Sequence, residues 1–186
     1  MAELRFPTPP LVDEVVLLRP WRVEDVPGKL MAFNDPVIQQ FSWSQTTTYT
    51  EADARDYFVE QDRARRAGDS LAVALAWPED ESVVLGGAAL HGVDLDQGRA
   101  GIGYWLAPAA RGRGAATHAV RLLAGWAFEA LHLSRIELTC GPSNAASQRV
   151  AERCGFVREG VLRSHQVFKG GRRDSVMFSL LPGELR

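Results

Sequence analysis

The sequence predicts one α/β (α+β mixed sheet) domain, with about seven strands and helices packed on both faces. Three observations lead there. At 186 residues the chain is long enough for one ordinary domain with a buried core and too short for two. Apolar runs of strand length alternate with helical stretches in the order strand, helices, three strands, helix, strand, helix, two strands, which suits a mixed sheet. With 46% hydrophobic and 24% charged residues, and no repeat or low-complexity tract, the composition is globular.

Residues 1–14, with Pro7, Pro9 and Pro10, read as an extended lead-in to a domain over 15–181, and 182–186 as a tail. Val15–Leu18 begins the first strand, which Pro20 closes. Glu24–Phe33 and Asp35–Gln40 read as short helices interrupted by Pro27 and Pro36, and a threonine-rich loop follows. Thr50 with Asp53 three residues on is a helix-start pattern, and the charged helix behind it runs to about Ala67. Ser70–Trp77 and Val83–Val93 are apolar runs that pair about the turn Pro78–Ser82. Asp94–Gly98 turns the chain into the fourth strand, Ala100–Leu106.

A glycine-rich turn then leads into a helix over Ala115–Leu131. Within it Ala116, Val120, Leu123, Ala127 and Leu131 recur at helical spacing and mark a buried face. Arg135–Cys140 is the fifth strand, and Pro142-Ser143-Asn144 opens a helix ending near Cys154, past which Gly155 fits a left-handed position. Phe156–Val167 and Arg172–Leu180, joined through Lys169-Gly170-Gly171, complete the sheet.

A net charge of −2 excludes generic nucleic-acid binding, which needs a basic field. No basic, apolar leader precedes the first strand, and no apolar stretch approaches a membrane span, so a cytoplasmic protein without a membrane partner is expected. Cys140 and Cys154 are read as small core residues rather than a disulfide or metal pair. No metal site is expected.

The run Arg111-Gly112-Arg113-Gly114-Ala115-Ala116 carries the most chemistry. A strand that turns through glycines into a helix leaves unpaired N–H groups at the helix start, and these suit a phosphate. A Walker-type loop is excluded because no Gly-Lys-Ser/Thr follows, and the glycine spacing is wrong for a dinucleotide fingerprint. A purely structural turn is the remaining rival. Against it, Arg111 and Arg113 place two cations beside the helix start of a mildly acidic chain, as a pyrophosphate would need.

Arg111, Gly114 and Ala116 also fill the pattern Arg/Gln-x-x-Gly-x-Gly/Ala. Leu18-Arg19-Pro20, Ile102-Gly103-Tyr104-Trp105-Leu106, Asn144-x-x-Ser147, Cys154-Gly155-Phe156 and Arg172-Arg173-Asp174 accompany it in order over about residues 15–181. On these motifs the chain resembles the GNAT superfamily of acyl-CoA N-acyltransferases. Within it, the chain is similar to the RimJ/RimL-like branch of ribosomal-protein N-terminal acetyltransferases.

The resemblance implies a sheet splayed between the fourth and fifth strands and acetyl-CoA as donor. Backbone groups of Trp105, Leu106 and Ala107 would pair with the pantetheine amides, and Arg111 to Ala116 would hold the pyrophosphate. It also implies that Asn144 holds the pantetheine arm, that Ser147 reaches the CoA sulfur, and that the Leu106 N–H stabilises the oxyanion. A homodimer is a family-level expectation.

Acyl transfer to an amine needs a neutral nucleophile, a stabilised oxyanion and a proton for the leaving thiolate. Asn144 and Ser147 share the first turn of a helix, where their bland roles are an N-cap and a satisfied hydroxyl. The tyrosine that many family members carry seven residues after the asparagine is replaced by Ala151, which leaves Ser147 or water as the acid. The position where Rim-like enzymes have been assigned a glutamate base holds Gln166, which cannot accept a proton. His165, His91 and Glu137 are other titratable candidates, with a satisfied structural role favoured for His91 and Glu137.

An α-amine has a pKa near ~8 against ~10.4 for lysine, so the lack of a clear base favours a weakly basic acceptor. Trp43, Tyr104 and His91 are the candidate acceptor contacts, with Trp43 covering the cleft from its polar loop. The expected activity is direct acetyl transfer, without a covalent intermediate, to a protein N-terminus or a small-molecule amine. Antibiotics, amino acids and polyamines are alternative acceptors. A non-catalytic acyl-CoA sensor is the rival from another class.

Overall fold

A computed structural model describes residues 3–186, and its backbone pairs into one sheet with strands in the order β1-β2-β3-β4-β5-β6-β8-β7. The strands are β1 (Leu11–Val12), β2 (Leu17–Arg19), β3 (Leu71–Trp77), β4 (Asp80–Asp94), β5 (Arg99–Leu106), β6 (Arg135–Cys140), β7 (Val157–Phe168) and β8 (Gly171–Leu180). The helices are α1 (Val26–Phe33), α2 (Pro36–Phe41), α3 (Glu51–Arg66), α4 (Ala115–Leu131) and α5 (Ala145–Arg153). Every neighbouring pair is antiparallel except β5 and β6, which makes the sheet mixed.

The sheet has eight strands rather than seven. The extra one lies in the expected lead-in, where the Asp13 carboxylate accepts the N–H groups of Val15 and Val16 and turns the chain back, so that Leu11 and Val12 pair with Leu18 and Leu17. Two residues are too few to show alternation. Arg19 and Asp25, each 3% exposed at the side chain, form a bidentate pair at 2.8 Å that ties β2 to the turn before α1. Removing one partner from such a buried pair costs about 3–5 kcal/mol.

β3 is buried along both faces. Leu71, Val73 and Leu75 join the core that α4 covers, while alternation turns Ala72, Ala74 and Ala76, also buried, to the side on which α3 packs. Of the expected α4 stripe, Ala116, Val120, Leu123 and Ala127 are 0–5% exposed, and Leu131 at its end is only partly buried. A second cluster gathers Val26, Ala32, Phe33, Ile38 and Ala54 from α1–α3, and Tyr49 from the loop before α3, against Ala107 and Trp105. Among the described residues, no helix is long and apolar enough to cross a membrane.

The splay that positions the site is visible in the register. β5 pairs with β6 only over Arg99–Gly101, opposite Arg135–Glu137, so from Ile102 to Leu106 it leans on β4 alone. One edge of β5 is left open there. An open strand edge presents N–H and C=O groups to whatever enters.

Candidate active site

The open edge of β5, the glycine turn and the first turns of α4 and α5 enclose a cleft of about 340 Å³. Gly114 caps α4 in the left-handed region, at φ +82°, with no side-chain cap. Its carbonyl receives the His118 N–H at 3.1 Å, and the N–H groups of Ala115, Ala116 and Thr117 precede the first intrahelical bond. With Gly112 at φ +76°, the turn forms a concave run of backbone donors at a helix N-terminus, a shape that receives phosphate. Gly112, Gly114, Ala115 and Ala116 all line the cleft.

The two arginines of the turn behave differently from expectation. Arg111 lines the cleft, but its guanidinium donates to the Asp35 carboxylate at 2.5 Å and to the Leu106 carbonyl at 3.2 Å. The Arg111 hydrogen bond holds the Asp35 carboxyl below its usual range. Arg113 turns away and lies 5.7 Å from the centre of the Trp77 ring, outside the cleft lining. Arg149 and Arg153, on α5, line the cleft and supply cations that the motif did not indicate.

Ladder geometry also divides Trp105, Leu106 and Ala107. The Ala107 N–H donates to the Leu85 carbonyl at 2.8 Å, and the antiparallel alternation gives the Trp105 backbone to β4 as well. Leu106 faces the other way. Its N–H points into the splay, as an oxyanion or pantetheine donor must, while the Trp105 ring packs against Trp21 and Phe33.

Asn144 caps α5 by accepting the Ser147 N–H at 3.1 Å, so its bland role is real, and both side chains still line the cleft. The Tyr104 hydroxyl donates to Ser147 Oγ at 3.1 Å. That leaves the serine proton free to be given elsewhere. Burial pushes the Tyr104 phenol up to about 12, so it stays protonated and keeps Ser147 oriented.

A second cavity, of about 310 Å³, opens on the other side of the same strand segment and shares Ser42, Tyr104 and Trp105 with the first. Trp43, Tyr49, Asp53 and Tyr57 wall it, and Lys29 lies in its lining. Trp43 is anchored by its Nε1, which donates to the Thr47 carbonyl at 2.7 Å, and by an edge contact with Tyr49. Gly87 forms part of the wall because a side chain there would collide with Trp21 and Trp105, which stack at 6.0 Å.

The acetyltransferase (GNAT) domain family matches residues 16–157. The chain belongs to the GNAT acetyltransferase family. It is 31% identical over 175 residues to the uncharacterised N-acetyltransferase p20 of Bacillus licheniformis, covering 94% of this chain and 97% of that protein. Its fold lies close to RimJ of Mycobacterium smegmatis, solved with a CoA disulfide (TM-score 0.82, 24% identity, 91% and 83% of the two chains). It is similarly close to RimL, the ribosomal L7/L12 α-N-protein acetyltransferase solved with coenzyme A (TM-score 0.79, 22% identity, 91% and 96%). GNAT enzymes bind acetyl-CoA, and the free β5 edge and the donor-lined turn are what such a ligand requires.

Other sequence candidates of this GNAT enzyme lie outside both cavities. Gln166 accepts from Arg173 at 3.2 Å, and the same guanidinium reaches the Phe41 carbonyl at the end of α2. Gln166 therefore helps place α2 and handles no proton. His91 packs its ring over Gly101, and Glu137 accepts from Arg135 at 2.7 Å. His165 is exposed beside an irregular stretch of β7 where Ser164 adopts φ +52°.

The sequence candidates Trp43 and Tyr104 line the second cavity, but Lys29, Tyr49, Asp53 and Tyr57, which line it with them, were missed. A signal for Lys29 was present, since Val26, Lys29, Ala32 and Phe33 fall on one helical stripe and three of the four are apolar.

Proposed function

We propose that this acetyltransferase moves an acetyl group directly from acetyl-CoA to a primary amine, first a protein N-terminal α-amine and otherwise a small-molecule amine. The observation that carries the reading is the meeting of two cavities at Tyr104 and Trp105, one suited to the donor and one open to an acceptor. Acetyl-CoA supplies the activated thioester. Leu106 offers its N–H to the developing oxyanion, and Ser147, oriented by Tyr104, offers its proton to the departing sulfur.

Direct transfer is supported by the cysteines. Cys140 and Cys154 are buried and free, and burial raises both thiols, Cys154 to about 11, so neither offers a thiolate. The acceptor cavity carries one carboxylate, Asp53, which two bonds from Thr50 hold below its usual range. An ionised Asp53 favours an ammonium at the entrance. The α-amine preference is supported by the activity of RimL, an α-N-protein acetyltransferase whose fold this chain resembles.

The test is thiol release from acetyl-CoA with a panel of short peptides with free N-termini, amino acids, polyamines and aminoglycosides. Turnover fastest with peptides is expected. Tight CoA binding with no turnover on any amine would identify a sensor instead.

A further inference from the structure

The acceptor cavity contains a cation that the chemistry above does not use. Lys29 is 1% exposed, and its Nζ has no hydrogen-bond partner. Nζ lies 3.7 Å from the Tyr57 ring centre, 3.9 Å from Phe33 and 4.9 Å from Trp105, with Trp21 and Tyr49 at 5.6 and 5.8 Å. Trp21 Nε1 and the Tyr49 hydroxyl, in the same cage, are buried without partners too. Ring faces attract an ammonium, but they offer no oxygen to receive its protons, and burial favours the neutral amine.

The chain's use of cations sharpens the point. Of its 21 lysines and arginines only Lys29 and Lys169 are lysines. Arginine cannot release its proton in a protein, whereas a buried lysine can. The one lysine inside the fold sits in the acceptor cavity.

We propose that Lys29 is the proton acceptor for the incoming amine, the role for which the sequence offered only Gln166. The inference rests on the second cavity being the acceptor site. Trp105 is the shared wall and Lys29 lines the second cavity beside it; Nζ itself is covered by the rings, so proton exchange with an amine there requires the side chain to turn out of the cage. One N–H bond of the acceptor ammonium breaks and its proton goes to Nζ. The freed lone pair forms the N–C bond to the acetyl carbon as the C–S bond breaks. The second proton lost by that nitrogen ends on the leaving sulfur, and Lys29 returns its own to solvent as product departs.

Burial brings the Lys29 pKa down to about 7, where a base is both unprotonated and strong enough to be useful. The other ionisable groups around it do not take its place. Burial pushes Tyr57 up to about 12 and Tyr49 above its ordinary value, Asp53 is held low by Thr50, and Asp25, on the turn before α1, is engaged by Arg19. A protonated Lys29 would also repel the ammonium, so both effects raise activity in the same direction of pH.

Two measurements test this. With lysine Nζ labelled for NMR, the Lys29 signal, identified by its loss in Lys29→Met, should titrate near 7 in wild-type enzyme without substrates; a midpoint near 10 overturns the proposal. In kcat/KM against pH, Lys29→Met should lose about 100-fold at pH 7, the scale of general-base catalysis, and recover to within about threefold above the acceptor's own pKa. Lys29→Arg should not recover. Retained CoA affinity in Lys29→Met shows an intact fold. Turnover with an unchanged Lys29→Met profile overturns the role of Lys29 and leaves acetyl transfer standing, whereas no turnover by wild type with any amine overturns both.

Discussion

Replacing Lys29 by methionine removes the amine at the centre of the aromatic cage, and its effect on folding can be worked from the structure independently of turnover. Burial lowers the folded pKa from 10.5 to about 7. Between those values the unfolded chain holds a proton that the folded chain lacks, so stability rises with pH across that window. Below pH 7 both states are protonated and the full cost of burying the charge is present; above 10.5 both are neutral and it is gone. At about 1.4 kcal/mol per pH unit for one proton, the gain from pH 7 to pH 9 is about 2 kcal/mol and the whole effect roughly 5 kcal/mol.

Urea unfolding followed by tryptophan fluorescence at pH 7, 8 and 9 measures this. Wild type should gain about 2 kcal/mol over the range, and Lys29→Met should start roughly 4 kcal/mol more stable at pH 7 and lack that gain. Taking the difference between the two proteins cancels the remaining groups, among them Cys140 and Cys154, whose raised values act in the opposite direction at higher pH. Parallel curves for the two proteins would refute the reasoning.

Ser147→Ala and Tyr104→Phe should each lower kcat by about tenfold or more with CoA affinity little changed. Because they share one hydrogen bond, the double variant should be barely worse than either, and full additivity in steady-state rates would separate them. Gly114→Val should raise the CoA Kd at least tenfold by calorimetry, since φ +82° strains a β-branched residue in the turn that carries the N–H groups, at a cost of about 1–3 kcal/mol. Asp35→Ala, which frees Arg111 and uncaps α2, should lower Tm and raise both the CoA Kd and the acceptor KM; an effect on the donor alone would contradict a joint role.

How much of this was legible depended on whether a residue's job is local. The bounds of α4 and β6 follow from periodicity and alternation within the segment, and Thr50 with Asp53 cap α3 by a reciprocal pair that the spacing alone announces. Asn144 was legible for the same reason. Arg113 was not, because the ring it covers, Trp77, lies 36 residues earlier on another strand. The split in role between Leu106 and its two neighbours needed the β4 register, which no composition encodes. Lys29 was hidden by its own charge: a lysine in a short helix reads as solvated, and its five rings come from the segments around Trp21, Phe33, Tyr49, Tyr57 and Trp105, which only the fold assembles.

The same distinction recasts the signature arginine. Read in the motif, Arg111 is a phosphate ligand; in the fold its guanidinium is held by Asp35, whose carboxylate also caps α2 through Val37 and Ile38. At the other end of α2, Arg173 grips the Phe41 carbonyl. A helix of six residues has no stability of its own, so its place is set by these two arginines. Yet α2 supplies Ile38 and Phe41 to the donor cleft and leads directly into Ser42, which belongs to both cavities. Arg111 therefore joins the glycine turn to the helix that leads into Ser42, which both cavities share, and a ligand anion drawing on Arg111 would be felt on both sides of Trp105.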